Sequence, residues 1–375
     1  MKATIIGAGI GGLTTAIALQ QRGIEVEIFE STAEFKKVGA GIVLAFNAMQ
    51  VFKRLGIAEK LLTAGVPLQE MRMSNAKANR LAGSDLKALG ARYKVMAVGI
   101  HRAALHQVLL DALPKVPIHL NKKLKQLNQK AQIHLEFEDG TQHTTDLLIG
   151  ADGVKSAVRQ SIFPNSELRW SGQLCWRGIA PFKLPNEWQA RTNESMGAGK
   201  RFGWVPVDDK TVYWYACINN NAGEKYTISD LKPLFQHFNP LVGQLLAATP
   251  VDKIITNELG DLLPLPKWHT KNIVLVGDAA HATTPNIGQG ANQAIESAWT
   301  LAKCIAEEQD LEQAFVKYRA LRHEKAHQVI KMSWQVGKIA HLSNPVLCHL
   351  RNFMFRMVPN FVNERQMRKL YDLNC

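Results

Sequence analysis

Short apolar runs alternate with helical repeats from the start of this chain. Lys2 to Ile6 is apolar and partly β-branched, which predicts a strand. Leu13 to Arg22 follows with a helical pattern and stops at Gly23, a residue suited to the position just past a helix, and Glu25 to Glu30 predicts the next strand. Together they form a βαβ unit. The segment Val38 to Leu44 leads to a helix over Ala48 to Leu55, ended by Gly56. Beyond Pro67 the character changes: Glu70 to Ser74 alternates like a strand, the stretch to Ala91 is polar and irregular, and Tyr93 to Val98 predicts another strand. An amphipathic helix opens at Ile100-His101-Arg102, with Leu105, Val108, Leu109 and Ala112 on one face.

Strands at Leu124 to Leu127, Gln132 to Glu138 and Gln142 to Ile149, with a hairpin turn at Asp139-Gly140, form a meander. Its last strand breaks at Asp152-Gly153 into a helix. From Trp170 to about Leu262 the chain is β-rich and aromatic with a period of 2: Gln173 to Phe182, Ser195 to Val207, and Thr211 to Ile218 after an Asp208-Asp209-Lys210 turn. Two helical pieces follow, Ile228 to Phe238 and Leu241 to Ala248. Apolar β structure returns at Asn272 to Val276 and delivers Gly277-Asp278, a Pro-Gly loop from Thr283 to Asn292, and a helix from Gln293 to Glu308. The remainder, Leu311 to Cys375, is helical by pattern. The fold class is therefore α/β: a Rossmann-like domain with a parallel sheet, a smaller domain on an antiparallel sheet, and C-terminal helices. The expected division places 1–70, 100–169 and 263–330 in the first domain, 71–99 and 170–262 in the second, and 331–375 in the helical tail.

Composition narrows the class. A chain of 375 residues buries a large core without staples. No apolar segment is long enough to span a bilayer, and a strand at the N-terminus argues against a signal peptide, so a cytoplasmic protein is expected. Cys175, Cys217, Cys304, Cys348 and Cys375 contain no C-x-x-C, which signals neither a disulfide framework nor a zinc site and argues against a flavin disulfide reductase. The net charge of +13 is scattered, without a long basic run or an aromatic nucleic-acid motif, so no nucleic-acid partner is expected. Such a surface favours anionic cofactors and substrates. At the C-terminus, Phe353, Met354, Phe355, Met357, Val358, Phe361 and Val362 sit among Arg351, Arg356, Arg365 and Arg368. Such a basic amphipathic stretch either covers the core or lies on an anionic membrane, and core cover is the expectation.

The chemistry is concentrated in glycine turns. Gly7, Gly9 and Gly12 supply G-x-G-x-x-G between strand and helix, letting a pyrophosphate touch bare backbone at the positive end of a helix, while Glu30 at the tip of the next strand suits ribose hydroxyls. The chain is expected to bind a dinucleotide. Gly41 reads either as a close approach to that ligand or as a plain connection. Arg102, at a helix start, fits the local dipole poorly unless an anion sits there; an exposed arginine is the alternative. Asp152-Gly153 is a second phosphate-facing turn or only a sheet edge. Asp278 stands at the carboxyl end of a parallel strand, where doubly wound sheets bind ligands.

Three of these features in order, the glycine fingerprint with Glu30, the Asp152-Gly153 turn and the Gly277-Asp278 turn, resemble the single-component FAD-dependent aromatic hydroxylases, the monooxygenases that include hydroxybenzoate, salicylate and urate hydroxylases, zeaxanthin epoxidase and tetracycline-inactivating enzymes. The likeness spans residues 1 to about 300, and the C-terminal helices look similar too. It implies FAD, with the first motif on its ADP part, Asp278 on the ribityl chain, and the loop Pro285, Gly288, Gly290, Ala291 and Asn292 against the flavin ring. It also implies Asp152 and Gly153 near the pyrophosphate and NAD(P)H, and Arg102 on FAD. NAD(P)H would then dock transiently as co-substrate, and O₂ would react at the reduced flavin as a C4a-hydroperoxide. The expected reaction hydroxylates or epoxidises a small aromatic, heteroaromatic or polyketide-like substrate.

Within that family, Gly199 to Val207 followed by Tyr213 resembles the urate-hydroxylase stretch carrying a substrate-side arginine and tyrosine. Arg201 and Tyr213 are therefore the expected substrate residues, on paired strands and on one face. The same fold also hosts FAD-dependent reductases, halogenases and non-catalytic redox regulators. The W-x-W-x-I-P run of tryptophan halogenases is absent near Trp204-Val205-Pro206.

Overall fold

Lys2–Ile6 lies inside a six-stranded sheet ordered His269–Thr270, Ile273–Leu275, Leu147–Gly150, Lys2–Ile6, Glu25–Phe29, Ile118–His119. All neighbours pair in parallel except the outermost His269–Thr270. The computed structural model describes residues 2–35, 40–129, 132–220, 224–357 and 367–373. The central strands are continuous apolar runs because a parallel sheet is covered on both faces, and every residue of Leu147–Gly150 is buried. Helices Ile10–Gln20 and Gly290–Glu307 pack together, close enough that Gly11 faces Ala294. The meander of Leu124–Gln129, Ile133–Phe137 and Gln142–Thr145 joins the same core, with Phe137 stacked on Phe29 at 4.8 Å between ring centres.

A seven-stranded sheet follows the order Ile255–Leu262, Leu168–Pro181, Thr211–Asn219, Lys200–Pro206, Arg191–Met196, Glu70–Asn75, Arg80–Asp85. Its period of 2 separates two faces. Trp176, Phe202, Trp204, Trp214 and Ala216 point one way, into a core closed by helices Leu231–Phe235 and Pro240–Ala248. The opposite face carries Arg177, Arg201, Tyr213, Tyr215 and Cys217 by register. A small sheet of Gly41–Leu44, Ala97–His101 and Val66–Leu68 lies against that face, where Gly41 meets Tyr213 and Gly99 meets Val205. The architecture is α/β, a parallel-sheet layer joined to a largely antiparallel sheet and C-terminal helices.

Three local expectations are corrected. The stretch expected to be irregular before Ala91 contains strand Arg80–Asp85 and helix Leu86–Tyr93, whose N-terminus the Asp85 side chain caps at Ala88 N, 2.9 Å away. The small residues Ala82, Gly83 and Ser84 carry no alternation to reveal that strand, and Gly83 packs under the Met71 carbonyl. The strand expected at Tyr93 begins instead at Ala97, because the helix runs on and ends at left-handed Lys94. Ser195 to Val207 is two antiparallel strands, Arg191–Met196 and Lys200–Pro206, folded back between Gly197 and Gly199. At the C-terminus, helices Leu311–Ala340 and Pro345–Met357 are present; Val358, Phe361, Val362, Arg365 and Cys375, like Val38 and Gly39, lie outside the described residues. No helix among the described residues is long and apolar enough to cross a membrane.

Candidate active site

The carboxyl ends of four adjacent parallel strands meet at one edge of the first sheet. Ile6 is level with Gly150 and Phe29, and Gly150 with Leu275, so the turns carrying Gly7, Asp152, Glu30 and Asp278 leave the sheet side by side. The connections diverge on either side of Lys2–Ile6, which is the switch point at which such sheets bind ligands. Gly7 (φ 104°) lets the chain turn under Ala151, since a Cβ there would stand 2.5 Å from the Ala151 oxygen. Gly12 packs directly on the Gly7 carbonyl. Around Gly9, by contrast, nothing lies within 4 Å of the Cβ position.

The side chains divide into those already engaged and those open to a ligand. Glu30 accepts from Ala8 N (2.7 Å) and Thr32 N (2.9 Å). Burial pushes its carboxyl up, but these bonds and that from Ser31 prevail and hold it below its ordinary value. Asp152 binds Ser156 Oγ and Val158 N, so both its oxygens shape the turn into helix Ala157–Ile162. Asp278 opens into a crevice walled closely by protein; that crowding raises its carboxyl, partly offset by the charge of Arg102. Arg102 is exposed at the first turn of helix Arg102–Asp111, which places Arg102, Asp278 and Gly41 in one neighbourhood, with Gly41 making room for Tyr213. Asn292 is fully buried: its oxygen accepts from Ala45 N (2.8 Å) and its amide donates to Val43 O and Gly288 O. Asn292 clamps the loop to the small sheet through both ends of its amide. Pro285 and Gly288 are exposed, and Gly290 and Ala291 begin the helix behind them.

Arg201 sits on the second sheet, 1% exposed, and reaches across to that loop. Nη2 donates to Asn286 Oδ1, Nε donates to His341 Nε2 at 2.9 Å, and Nη1 lies 3.5 Å from Glu194 Oε1 without a hydrogen-bond partner. Burial disfavours its charge, but Glu194 and the other groups around it more than restore it. Tyr215 donates to Glu194 Oε2. Tyr213 shares the face of Arg201 but stands opposite Val205, four positions along the strand or roughly 13 Å away. The residue between them, opposite Gly203, is Tyr215. Arg201 is thus brought to Glu194, Tyr215, Asn286 and His341, none of which the sequence singled out, and Tyr213 is brought to Gly41. An alternation count from Arg201 on the paired strand was the signal available for Tyr215.

Residues 1–333 match the family described as FAD binding domain. The chain belongs to that family. It is an FAD-dependent monooxygenase, similar along its whole length to aurachin C monooxygenase/isomerase of Stigmatella aurantiaca, with 33% identity over 98% of this chain and 97% of the relative. The 2-heptyl-3-hydroxy-4(1H)-quinolone synthase of Pseudomonas aeruginosa is 30% identical over 99% of this chain and 98% of its own. Among solved structures, Klebsiella pneumoniae HpxO complexed with FAD and uric acid superposes with a TM-score of 0.90 at 27% identity, covering 100% of this chain and 96% of that one.

The monooxygenase has the features FAD requires. Helices Ile10–Gln20 and Gly290–Glu307 begin without a side-chain cap, leaving their first amides for an anionic ligand, whereas Arg102–Asp111, Ala157–Ile162 and Leu311–Ala340 are capped by His101, Ser156 and Asp310. The space at Gly9 is open on the same edge. The helix ends at Ile10 and Gly290 both follow glycine turns at the edge that bears Asp278.

Proposed function

We propose that this monooxygenase, fed by NAD(P)H, hydroxylates a fused N-heteroaromatic ring of the 4-quinolone type that bears an apolar tail. Bound FAD supplies the activated oxygen; the chain's own residues bind, orient and exclude water. The observation that carries this reading is the buried Arg201 Nη1, charged yet lacking a hydrogen-bond partner, on a sheet face that also bears Met71 and Met73. A guanidinium with an unfilled donor suits a ring oxygen such as the C4 oxygen of a quinolone, and Glu194 is the carboxylate in reach of a ring N–H. The methionines beside Glu194 on the neighbouring strand suit an apolar substituent. The similarity to the 2-heptyl-3-hydroxy-4(1H)-quinolone synthase supports the same class.

In this reading the pyrophosphate rests on the turn of Gly7, Gly9 and Gly12, the ribose on Glu30, the ribityl chain on Asp278, and the ring edge on the amides of Gly290 and Ala291 that open the helix. Residues 1–70, 100–169 and 263–330 hold the cofactor and 71–99 with 170–262 the substrate. The free thiols of Cys175, Cys217, Cys304 and Cys348 suit a reducing, cytoplasmic compartment. A second reading, a purine such as urate, is favoured by the likeness to the uric-acid complex.

The test is NAD(P)H oxidation and O₂ uptake by the purified yellow protein against 2-alkyl-4-quinolones and urate, with ¹⁸O₂ as oxidant. A quinolone should accelerate both and gain one labelled oxygen. Acceleration by urate alone would establish the purine reading, and NAD(P)H oxidation without substrate-dependent O₂ uptake would point to a reductase or a regulator.

A further inference from the structure

Helix Pro345–Met357 keeps its polar anchors inside and its apolar side chains out. Val346, Leu347, Leu350, Phe353, Met354 and Met357 are exposed, Val346 by 74% and Phe353 by 59%. Their spacing of i, i+1, i+4, i+7, i+8 and i+11 gathers them on one side. Inside, buried Arg351 donates to Ala340 O at 2.9 Å and to Gly197 O at 3.3 and 3.4 Å, so the helix is fixed in this orientation. Six large apolar groups on one surface are far more than scattered exposure explains.

We propose that this face docks on an anionic lipid surface. The helix contains no carboxylate, Arg356 stands on its exposed side, and the chain carries a net charge of +13. A two-fold contact with a second copy would set the exposed Arg356 of each helix into the same seam with no helix carboxylate to offset it, whereas a bilayer rich in anionic headgroups complements that charge. With 13 residues the helix is about 20 Å long, too short to span, so it lies in the headgroup plane with its apolar side inward.

The anchor also ties this face to the substrate sheet. Gly197, held by Arg351, begins the turn into the strand of Arg201; Gly199 N donates to Leu342 O (2.8 Å), and Asn219 Nδ2 donates to His341 O (3.0 Å). The docked helix would thus stand beside the strand that grips the ring, where an amphiphilic substrate dissolved in the bilayer is delivered. Only this route rests on the quinolone reading; the docking itself does not.

The experiment is co-sedimentation of the full-length holoenzyme with phosphatidylcholine vesicles, with and without one quarter phosphatidylglycerol. Binding should be ~10-fold or more tighter with the anionic lipid, and Leu350→Asp/Phe353→Asp should weaken it by at least ~10-fold. The double variant should keep its FAD, its melting temperature and its turnover of a short-chain, water-soluble substrate. Absence of binding to the anionic vesicles would overturn the proposal. So would a wild-type dimer that the double variant turns into a monomer while vesicle binding is unchanged. Because sedimentation needs no substrate, failure of the quinolone reading leaves this result standing.

Discussion

Arg201 and His341 meet through a single hydrogen bond, Nε to Nε2 at 2.9 Å, which only a neutral imidazole can accept. The other ring nitrogen, Nδ1, lies 3.0 Å from Asn219 Oδ1 and so carries the proton. Burial, with Arg201 and Arg351 adding to it, drives the imidazole down to about 2, so His341 remains an acceptor at any working pH. Its role is to position the arginine. His341→Leu removes the acceptor and should raise KM by about 10-fold or more, with FAD content and kcat changed little; His341→Gln, whose amide oxygen accepts the same bond, should recover most of the loss. Steady-state kinetics of both variants decide it, and equal defects would mean that only packing was lost.

Burial also keeps His281 and His327 neutral, driven to about 3 and about 4. Below an unfolded value near 6.5 the unfolded chain takes up protons that the folded chain refuses, so stability falls as pH drops and goes on falling until each folded value is reached. The slope is about 1.4 kcal/mol per pH unit for each histidine, less for the partly solvated His327. Carboxylates at or below their ordinary value contribute little between pH 6.5 and 5, while the raised Asp152 and Asp278 take up protons in the folded state and oppose the fall, so the comparison with His341→Gln is what isolates the histidine effect. Urea denaturation across that window should show the fall, and His341→Gln should make it shallower. A flat profile would contradict the burial of these rings.

The parallel-sheet layer was legible because its signals are local: a strand, a glycine turn and a helix follow one another, and the turn containing Asp278 repeats the plan. The substrate side was legible only in part. Arg201 stands in a recognisable stretch, but its partners come from Glu194, Tyr215, Asn286 and His341, up to 140 positions away. Asn286 reaches Arg201 because Gly337 on the long C-terminal helix leaves room for its amide, a contact no periodicity announces. Asn292 sits in the right motif, yet its side chain is spent on Ala45, Val43 and Gly288. Motif membership could not separate a backbone contribution from a side-chain one.

Arg201→Ala should leave FAD bound, because the arginine contacts the loop through Asn286 and not the glycine turns. The lost charge-assisted bond, roughly 1.5–3 kcal/mol, corresponds to about one to two powers of ten in kcat/KM. Tyr215→Phe leaves the arginine in place but frees Glu194, so its defect should be smaller. Burial and Glu194 hold the Tyr215 phenol well above its ordinary value, and the hydroxyl therefore stays protonated. Removing it should leave the alkaline limb of the pH–rate profile unmoved, and a shifted limb would show that Tyr215 exchanges a proton during turnover.

The glycines of the first turn should separate cofactor binding from folding. At Gly9 nothing in the protein occupies the Cβ position, so Gly9→Val meets no neighbour at Cβ in the apo chain and intrudes only on the space left for the pyrophosphate. At Gly12 an added Cβ runs into the Gly7 carbonyl, which is backbone and cannot swing aside. Gly9→Val should therefore yield colourless protein whose apo melting temperature matches that of the stripped wild type. Gly12→Ala should lose ~1–3 kcal/mol or more of stability even without cofactor, because the helix must back away from the strand it follows. Absorbance at 450 nm and apo-protein melts report the two effects independently. Full flavin content in Gly9→Val would remove the first turn from the FAD site, and an apo Gly12→Ala as stable as wild type would show that the turn relaxes without cost.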